Sequence, residues 1–269
     1  ISEYLEMAET DRIVNVLPLS FDYGLYQLLM TVRLGATLIL EDTFVYPSRL
    51  INAVKTHEAT VFPGVPTIFT MLVSIYRTSG LKFPSVRIVT NTAAALSDDL
   101  VPEIRCVFPH ATVYKMYGLT ECKRVSYLPP EYLGRKPGSV GRAIPGTEVF
   151  LRSTEGAPVA PGDIGILHVR GPHVMLGYWN KREATRRMLR DGEYPYERVL
   201  CTGDWFRMDE DGFLYFYGRS DDIIKSRGEK VSPVEVENTI RRLRAVEDVA
   251  VIGVPHEVLG EAVAALVVL

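Results

Sequence analysis

Short apolar runs alternate with segments of helical periodicity through the first half of the chain. The apolar runs are typical of buried strands, and they occupy residues 12–17, 36–40, 60–65, 86–90 and 112–115. Helical spacing begins between them at Tyr23, Pro47, Pro66 and Ser97, and in the first of these segments one face carries Leu25, Leu28, Leu29 and Val32. Strands and helices that take turns predict a parallel sheet covered by helices on both faces.

The pattern changes at about residue 137, where short β segments separated by Gly, Pro and Asp-Gly turns replace the alternation. Asp211-Gly212 stands between two strand-like runs and predicts a β-hairpin. Further along, a helix is predicted from Pro233 to about Leu243, with Ser232 as its N-cap and a glutamate three residues later to complete a capping box. The last predicted strands lie at residues 249–254 and 262–269.

These patterns give the predicted fold class and domain organisation. The fold class is α/β, with parallel sheet layers covered by helices and a β-rich subdomain, followed by a small α+β C-terminal domain. The α/β part of a large domain is expected at residues 1–136, its β-rich subdomain at 137–219 and the start of a small, truncated domain at 220–269.

Composition and charge narrow the classes of function. The 269 residues are 47% hydrophobic and 23% charged, which is the composition of an ordinary globular protein. A net charge of -3 and a pI near 6.0 give no electrostatic reason to expect nucleic acid or an anionic membrane as a partner. No apolar run reaches the ~18–20 residues that a transmembrane helix needs, so no membrane span is predicted.

Cysteine and histidine usage gives no metal or redox pattern. Cys106, Cys122 and Cys201 are far apart and odd in number, so we expect free thiols in a reducing cytoplasm. The histidines show no mutual spacing, so we do not expect them to hold a metal or to form a catalytic triad. An oxidoreductase that uses a dinucleotide is also disfavoured, because no G-x-G-x-x-G motif opens a helix.

Two loops at the predicted carboxyl ends of strands carry candidate binding groups, and ligands of parallel sheets bind at such ends. Residues 91–97 (NTAAALS) have small side chains that would let a flat ligand approach the backbone. In YGLTE, the ring of Tyr117 could stack on a purine, the hydroxyl of Thr120 could bond a phosphate and Glu121 could hold Mg²⁺ against phosphate oxygens. The alternative is a structural corner in which Tyr117 is packed, and a short motif alone does not separate the two.

A second set of polar groups lies where the β-rich subdomain is expected to meet the small domain, which is a common place for a ligand site. Asp204, in a Thr-Gly-Asp turn, could accept both hydroxyls of a ribose while Arg219 donates to them. The alternative is a turn acid paired with an arginine, which is common on protein surfaces. Lys225 could meet a phosphate or a thiol cofactor, although solvated lysines are far commoner.

In this order the motifs resemble those of the AMP-forming, adenylate-forming ligases, the superfamily of acyl- and aryl-CoA synthetases, nonribosomal peptide synthetase adenylation domains and luciferase. YGLTE is similar to the family's adenine- and Mg-binding motif, and the Thr-Gly-Asp that contains Asp204 is similar to its ribose motif. GRSDDIIKSRGEKVSPVEVE is similar to the family's hinge segment, and GSVGRAIPGTEVFL and GDIGILHVRGPHVMLGYW resemble the stretch between the motifs. The resemblance covers essentially the whole chain.

The resemblance implies a role for each candidate residue. The implied ATP- and AMP-binding residues are Thr92, Ala93, Ala94, Tyr117, Gly118, Thr120, Asp204 and Arg219. Tyr117 would stack on the adenine, and Thr120 would contact the α-phosphate. Glu121 would hold the Mg²⁺, and Asp221 would be the hinge about which the small domain swings. Lys225 and Gly228 would face the incoming thiol, and the implied catalytic residues are Thr120, Glu121 and Lys225.

The implied reaction is attack of a carboxylate on the α-phosphorus of ATP, which gives an acyl-adenylate and pyrophosphate. The thiol of CoA, or of the phosphopantetheine on an acyl carrier protein, then displaces AMP. Such chemistry needs positioned charge more than acid–base groups, and a cytoplasmic enzyme with ATP and Mg²⁺ as cofactors is expected. The alternatives left open are an amino-acid-activating adenylation domain, a relative that binds nucleotide without ligase activity, and a luciferase-like oxygenase.

Two family features are missing from the sequence. The Gly/Ser/Thr-rich phosphate loop that should precede residues 12–17 is absent. The second lysine, which the family carries in a Pro-Lys-x-x-x-Gly-Lys context near the end of the small domain, is absent as well. Because that lysine is the principal adenylation residue of the family, the sequence is expected to be an inactive fragment of a longer ligase.

The segment LPLSFDYGLYQ bears on the acid that is activated. By resemblance, Phe21 stands where fatty- or aryl-CoA ligases often carry a histidine beside the acyl channel, and Asp22 stands where peptide synthetases grip an α-amino group. Asp22 could instead cap the helix that begins at Tyr23, a role that aspartate fills well. The apolar segment 61–72 is expected to line the acyl pocket, and the predicted pocket residues are Phe21, Asp22, Tyr23 and Val65.

Overall fold

The computed structural model describes residues 1–42, 44–227, 229–243, 245–256 and 258–269. The chain divides into two compact units. The first unit comprises Ile1–Thr147 with Gly171–Leu176, and the second comprises Glu148–Arg170 with Gly177–Leu269. The domain boundaries expected after residues 136 and 219 stay predictions, because a compact unit and a domain need not coincide.

The first unit is built on a sheet that is parallel over most of its width. Its strands are β1 (Arg12–Asn15), β2 (Thr37–Leu40), β3 (Val61–Gly64), β4 (Ile88–Asn91), β5 (Thr112–Tyr117), β6 (Ser126–Leu128) and β7 (Ser139–Ala143). They lie in the order β2-β1-β3-β4-β5-β6-β7, parallel as far as β5 and antiparallel from β5 to β7. The predicted alternation is thereby confirmed, since β1 to β5 overlap the five apolar runs.

The helices between these strands begin and end at recognisable residues. They are α1 (Asp22–Leu34), α2 (Pro47–Thr56), α3 (Pro66–Ser79) and α4 (Leu100–Val107). Proline opens α2 and α3, and Gly35 ends α1 in the left-handed conformation (φ 68°). All residues of β3 and β4 are buried, as expected of central strands that are covered on both faces.

The buried face of α1 differs from the one that its leucines suggest. It consists of Tyr23, Gly24, Gln27, Met30 and Thr31, whereas Leu25, Leu29 and Val32 are 38%, 48% and 72% exposed. A β-carbon at Gly24 would lie 2.3 Å from the Pro18 carbonyl oxygen, so the helix meets the preceding loop on this side. Gln27 and Thr31 donate to helix carbonyls at 3.1 and 2.7 Å, which satisfies their polar groups in the interior.

An aromatic cluster fills part of the core of the first unit. Phe62 packs against Phe69 and Phe108, with ring centroids 6.0 and 5.0 Å apart, and Phe108 packs against Phe83. All four rings are at most 1% exposed. Phe62 and Phe69 are therefore core residues, whereas Val65, in the same apolar segment, is partly exposed.

Within the described residues, the second unit forms a larger and a smaller antiparallel sheet. The larger contains β8 (Glu148–Arg152), β9 (Ile164–Arg170), β10 (Leu189–Asp191), β11 (Arg198–Met208) and β12 (Leu214–Arg219), in the order β12-β11-β9-β8 with β10 on β11. The smaller contains β13 (Ile224–Ser226), β14 (Glu229–Val231), β15 (Asp248–His256) and β16 (Gly260–Val268), in the order β14-β13-β16-β15. Its helices are α5 (Arg182–Met188) and α6 (Pro233–Ile240).

Two local signals in the second unit are confirmed. Asp211 and Gly212 (φ 79°) lie between the antiparallel strands β11 and β12, as the hairpin prediction requires. The Ser232 hydroxyl accepts from the Glu235 amide at 3.1 Å and caps α6. The helix ends at Ile240, earlier than predicted. None of the helices among the described residues is long and apolar enough to cross a bilayer.

Candidate functional site

The loops after β4 and β5 lie side by side at one edge of the first unit's sheet. The two strands are parallel neighbours, with Asn91 opposite Lys115 near their carboxyl ends. Residues 92–97 follow β4, and residues 118–122 follow β5. Strands β1 and β3 point the same way, so the segment that ends at Phe21 and the residue Val65 leave the same edge. The sheet therefore brings the predicted nucleotide and acid loops of this unit together.

The loop after β4 presents a nearly bare backbone. Thr92 is buried, whereas Ala93 and Ala94 are exposed, and Ala93 adopts a left-handed conformation with φ 74°. Beyond them, Asp98 anchors the loop, because its carboxylate accepts from the buried Lys115 ammonium at 2.5 Å and from the Gly138 amide at 2.6 Å. A flat ligand could approach this backbone without meeting a large side chain.

The loop after β5 is held in a tight turn. The amides of Cys122 and Lys123 donate to the Leu119 carbonyl at 3.1 and 2.7 Å, and the Met175 amide donates to the Glu121 carbonyl at 2.8 Å. A β-carbon at Gly118 would lie 2.0 Å from the Lys123 carbonyl oxygen, so this position has no room for a side chain. The turn leaves Thr120 exposed and Glu121 half-buried, and Tyr117 is half-buried at the end of β5.

The residues predicted to line the acyl pocket differ in solvent exposure. Phe21 is 37% exposed, while Tyr23 is 1% exposed and its hydroxyl donates to the Thr90 carbonyl at 2.8 Å. Burial raises the pKa of Tyr23 to about 12. Asp22 is the first residue of α1, whose N-cap is Phe21, and among the described residues no side chain caps this helix. The expectation that Asp22 acts as an N-cap is therefore wrong.

The carboxylate of Asp204 is presented by a bulge inside β11. The register between β11 and β9 shifts between Cys201 and Trp205, and Gly203 has a φ of 74°. The Thr-Gly-Asp segment is thus part of a strand, rather than the turn expected from the sequence. The bulge changes the direction in which the Asp204 side chain leaves the strand. Arg219 is the cross-strand partner of Asp204, with its Nε 3.4 Å from Oδ1. Asp204 is 6% exposed, so the structure pairs a buried acid with an exposed arginine.

The predicted hinge and thiol residues follow β12. Asp221 is exposed in the turn between β12 and β13, and it lines a cavity of about 380 Å³ in the second unit together with Arg219 and Glu237. Lys225, in β13, has an exposed side chain, and its amide donates to the Glu261 carboxylate at 2.6 Å. Gly228 lies outside the described residues.

The part of the chain that the structure describes contains no cluster of candidate metal ligands. Among the described residues no three His, Cys, Asp or Glu side chains are grouped so that they could hold a metal ion. The cysteines Cys106, Cys122 and Cys201 are free, as predicted, and burial raises the pKa of the Cys122 thiol to about 12. A thiol that is protonated at neutral pH is a poor metal ligand.

Comparison with known proteins identifies the family. The family model for AMP-binding enzymes matches residues 1–179, and the model for the AMP-binding enzyme C-terminal domain matches residues 235–269. The chain belongs to the AMP-binding enzyme family. This confirms the resemblance inferred from the motifs.

Relatives of this AMP-binding chain are roughly twice its length. It is 35% identical over 264 residues to a long-chain-fatty-acid–CoA ligase of Bacillus subtilis, which is 96% of this chain and 45% of the relative. ATP-bound MatB from Rhodopseudomonas palustris superposes with a TM-score of 0.86 at 32% identity, covering 99% of this chain and 51% of MatB. The o-succinylbenzoate CoA synthetase of Bacillus subtilis with ATP and magnesium ion gives 0.85 at 29% identity, covering 99% and 53%.

Two buried lysines of this AMP-binding chain lie beside the candidate site, although the sequence motifs did not predict them as site residues. Lys115 anchors the loop after β4 through Asp98, and Lys123 reaches the first turn of α1. The Lys123 ammonium donates to the Asp22 carbonyl at 2.8 Å and lies 3.4 Å from the Asp22 carboxylate. Burial, followed by the nearby Arg124, lowers the pKa of Lys123 to about 7. The sequence signals for them are a lysine inside an apolar strand (VYKMY) and a Lys-Arg pair that follows YGLTE after one cysteine.

Proposed function

We propose that this chain is part of a ligase that activates a carboxylic acid with ATP, releasing pyrophosphate, and passes the acyl group from AMP to the thiol of CoA. The observation that carries the proposal is the neighbouring position of the loops that follow β4 and β5, in a chain of the AMP-binding enzyme family. Both loops leave the carboxyl edge of a parallel sheet, where such folds bind nucleotides.

The nucleotide would lie across this edge. Ala93 and Ala94 leave the backbone after β4 open, and the ring of Tyr117 would stack on the purine. Thr92 and Gly118 would border the same slot. The exposed hydroxyl of Thr120 would donate to the α-phosphate. These are the groups expected for a flat base followed by a charged phosphate.

Magnesium would be held mainly by the nucleotide. In proteins Mg²⁺ is usually bound by one or two carboxylates together with substrate phosphates, so Glu121 alone would suffice as the protein ligand. Bound Mg²⁺ would neutralise phosphate charge during attack by the acid.

The second unit would contribute groups for the ribose and the thiol step. The Asp204 carboxylate would accept from the ribose hydroxyls, and Arg219 would hold that carboxylate in place. Asp221 would be the hinge, and the exposed Lys225 with Gly228 would face the thiol. CoA is the favoured acceptor, because the B. subtilis relatives are named as CoA ligases or synthetases. A carrier protein and a cytoplasmic location stay predictions.

The test is ATP–pyrophosphate exchange by the product of the complete reading frame that contains this chain. The panel of acids would include long-chain fatty acids, aryl acids and o-succinylbenzoate. Exchange with at least one acid is expected, and Glu121→Gln should reduce it by about a hundredfold, as loss of one electrostatic contact to a developing charge does. The exposed Glu131→Gln is the matched control. ATP binding without exchange for any acid would overturn the proposal.

A further inference from the structure

Lys123 attaches the loop after β5 to the start of α1. Its amide is bonded to Leu119 inside the loop, while its ammonium reaches both the carbonyl and the carboxylate of Asp22. The two bonds use different parts of the residue, the main chain for the loop and the side chain for the helix. A single residue therefore connects the predicted nucleotide loop to the predicted acid-binding segment.

The surroundings of Lys123 hold the ammonium in one place. The residue is 5% exposed, and its Nζ lies over the Tyr26 ring, 3.8 Å from the centroid. The charged or titratable groups around it are Asp22, Tyr23 and Tyr26 on α1 and Glu121, Cys122 and Arg124 on its own loop. A neutral amine would still donate to the Asp22 carbonyl, but the charged ammonium binds the Asp22 carboxylate more strongly, so the attachment is strongest when Lys123 is protonated.

On the basis of the ligase function proposed above, we propose that Lys123 is a positioning residue that holds the first turn of α1 and occupies Asp22. It follows that the ligase prefers acids that have no α-amino group. An α-ammonium could bind Asp22 only by competing with Lys123, whose side chain is 6% exposed and whose Nζ also lies over the Tyr26 ring. Two cations on one partly buried carboxylate would be strongly unfavourable.

The geometry separates the effects of two substitutions. Lys123→Met keeps the main-chain bond to Leu119, so the nucleotide loop should stay in place while the turn of α1 is released. Asp22→Asn keeps the carbonyl that accepts the shorter, 2.8 Å bond and keeps an acceptor oxygen on the side chain. The lysine variant should therefore impair the acid side of the site much more than the aspartate variant.

The relative effects of the two substitutions can be tested by steady-state kinetics. The enzyme to use is the product of the complete reading frame that contains this chain. Lys123→Met should raise KM for the acid about tenfold, the value of one hydrogen bond to a charged group, with KM for ATP and kcat changed by less than about threefold. Asp22→Asn, which keeps the carbonyl acceptor of the 2.8 Å bond, should raise KM for the acid clearly less than Lys123→Met does. The exposed Lys82→Met is the control. Loss of exchange in Asp22→Asn, or amino acids as the preferred substrates of the unmodified enzyme, would overturn the proposal.

A measurement that does not depend on catalysis can distinguish failure of the Lys123 proposal from failure of the proposed ligase function. Hydrogen exchange of the 269-residue chain should show that Lys123→Met exposes the first-turn amides of α1, such as Leu25, which donates to Phe21 at 3.0 Å. The Cys122 and Lys123 amides should keep their protection. An unchanged first turn would overturn the attachment even if the ligase assay succeeds. A released first turn in a protein without exchange activity would overturn only the ligase function.

Discussion

The guanidinium of Arg87 holds the carboxylate of Asp11 through two parallel hydrogen bonds, from Nε to Oδ1 at 2.9 Å and from Nη2 to Oδ2 at 2.5 Å. Asp11 precedes β1, Arg87 precedes β4, and the Thr60 hydroxyl before β3 donates to the same carboxylate at 2.7 Å. One carboxylate thus joins the entry points of three parallel strands, at the edge opposite the candidate site.

Asp11→Asn should destabilise the 269-residue chain by about 1–3 kcal/mol at pH 7, the range for hydrogen bonds to charged groups. Burial alone would raise the pKa of Asp11, but the hydrogen bonds from Arg87, Ala8 and Thr60 outweigh it and hold that pKa below its ordinary value. Stability from a lowered carboxyl pKa is present above the unfolded-state value and is lost as pH falls through the folded-state value. The gap between the two proteins should therefore shrink below about pH 4.

Urea unfolding from pH 3 to pH 8 measures this gap. Asp163→Asn, an exposed turn acid, is the control and should leave the free energy of unfolding nearly unchanged at every pH. A gap between wild type and Asp11→Asn that stays constant down to pH 3 would contradict the charge-based account and would leave only packing.

Gly118→Ala should disrupt the loop after β5. The new methyl group would meet the Lys123 carbonyl oxygen at 2.0 Å, and that atom belongs to the main chain and cannot turn aside. The expected loss is about 2–3 kcal/mol of stability, together with loss of protection at the Cys122 and Lys123 amides. Gly134→Ala is the matched control, because no described atom lies within 4 Å of a β-carbon built there. Equal stability of the two variants would refute the close approach.

Tyr23→Phe tests whether Tyr23 is structural. Its buried hydroxyl donates to the Thr90 carbonyl and lies 2.7 Å from the Thr90 hydroxyl, so its removal leaves a buried acceptor with one donor fewer. We expect a loss of about 1–2 kcal/mol in urea unfolding. Tyr46→Phe, at an exposed ring, should cost almost nothing. In the ligase assay, a large rise in KM for the acid with Tyr23→Phe would support the predicted place of Tyr23 in the acyl pocket, and an unchanged KM would leave it a structural role only.

The order of elements could be predicted from the sequence because each element satisfies its own local rule. The apolar runs of β3 and β4 are buried along their whole length, Gly35 adopts the left-handed conformation that ends α1, and Ser232 caps α6. These signals depend on a few neighbouring residues. The family resemblance likewise came from contiguous motifs, of which Tyr117–Glu121 is one.

The remaining features depend on contacts between distant segments, which no local pattern records. The leucines of α1 have helical spacing, but the face with Gly24 is buried because only a residue without a side chain fits against Pro18. Asp22 looks like an N-cap until Lys123, 101 residues away, is placed beside it. The same holds for Lys115, whose partner Asp98 lies just beyond the small residues 91–97, where the sequence predicts a helix to begin.

The Lys115–Asp98 pair provides the last prediction, because it should stabilise the loop after β4 as well as the unit. Lys115→Met leaves Asp98 facing Gly138 without its ammonium partner and should cost about 2–3 kcal/mol, somewhat less than a fully buried pair because the Asp98 side chain is 32% exposed. Asp98→Asn should cost a similar amount, since it leaves the buried Lys115 ammonium without a counter-charge. The double variant should cost clearly less than the sum of the two.

A double-mutant cycle by urea unfolding measures the coupling free energy, and hydrogen exchange shows where it acts. Protection of the amides in residues 92–97 should fall in both single variants, while the first turn of α1, which Lys123 holds, should be unaffected. Lys55→Met, at an exposed helix position, is the control. If the losses of unfolding free energy in the two single variants simply add up in the double variant, the two side chains stabilise the unit independently. The position of the loop after β4 would then be determined by its backbone alone.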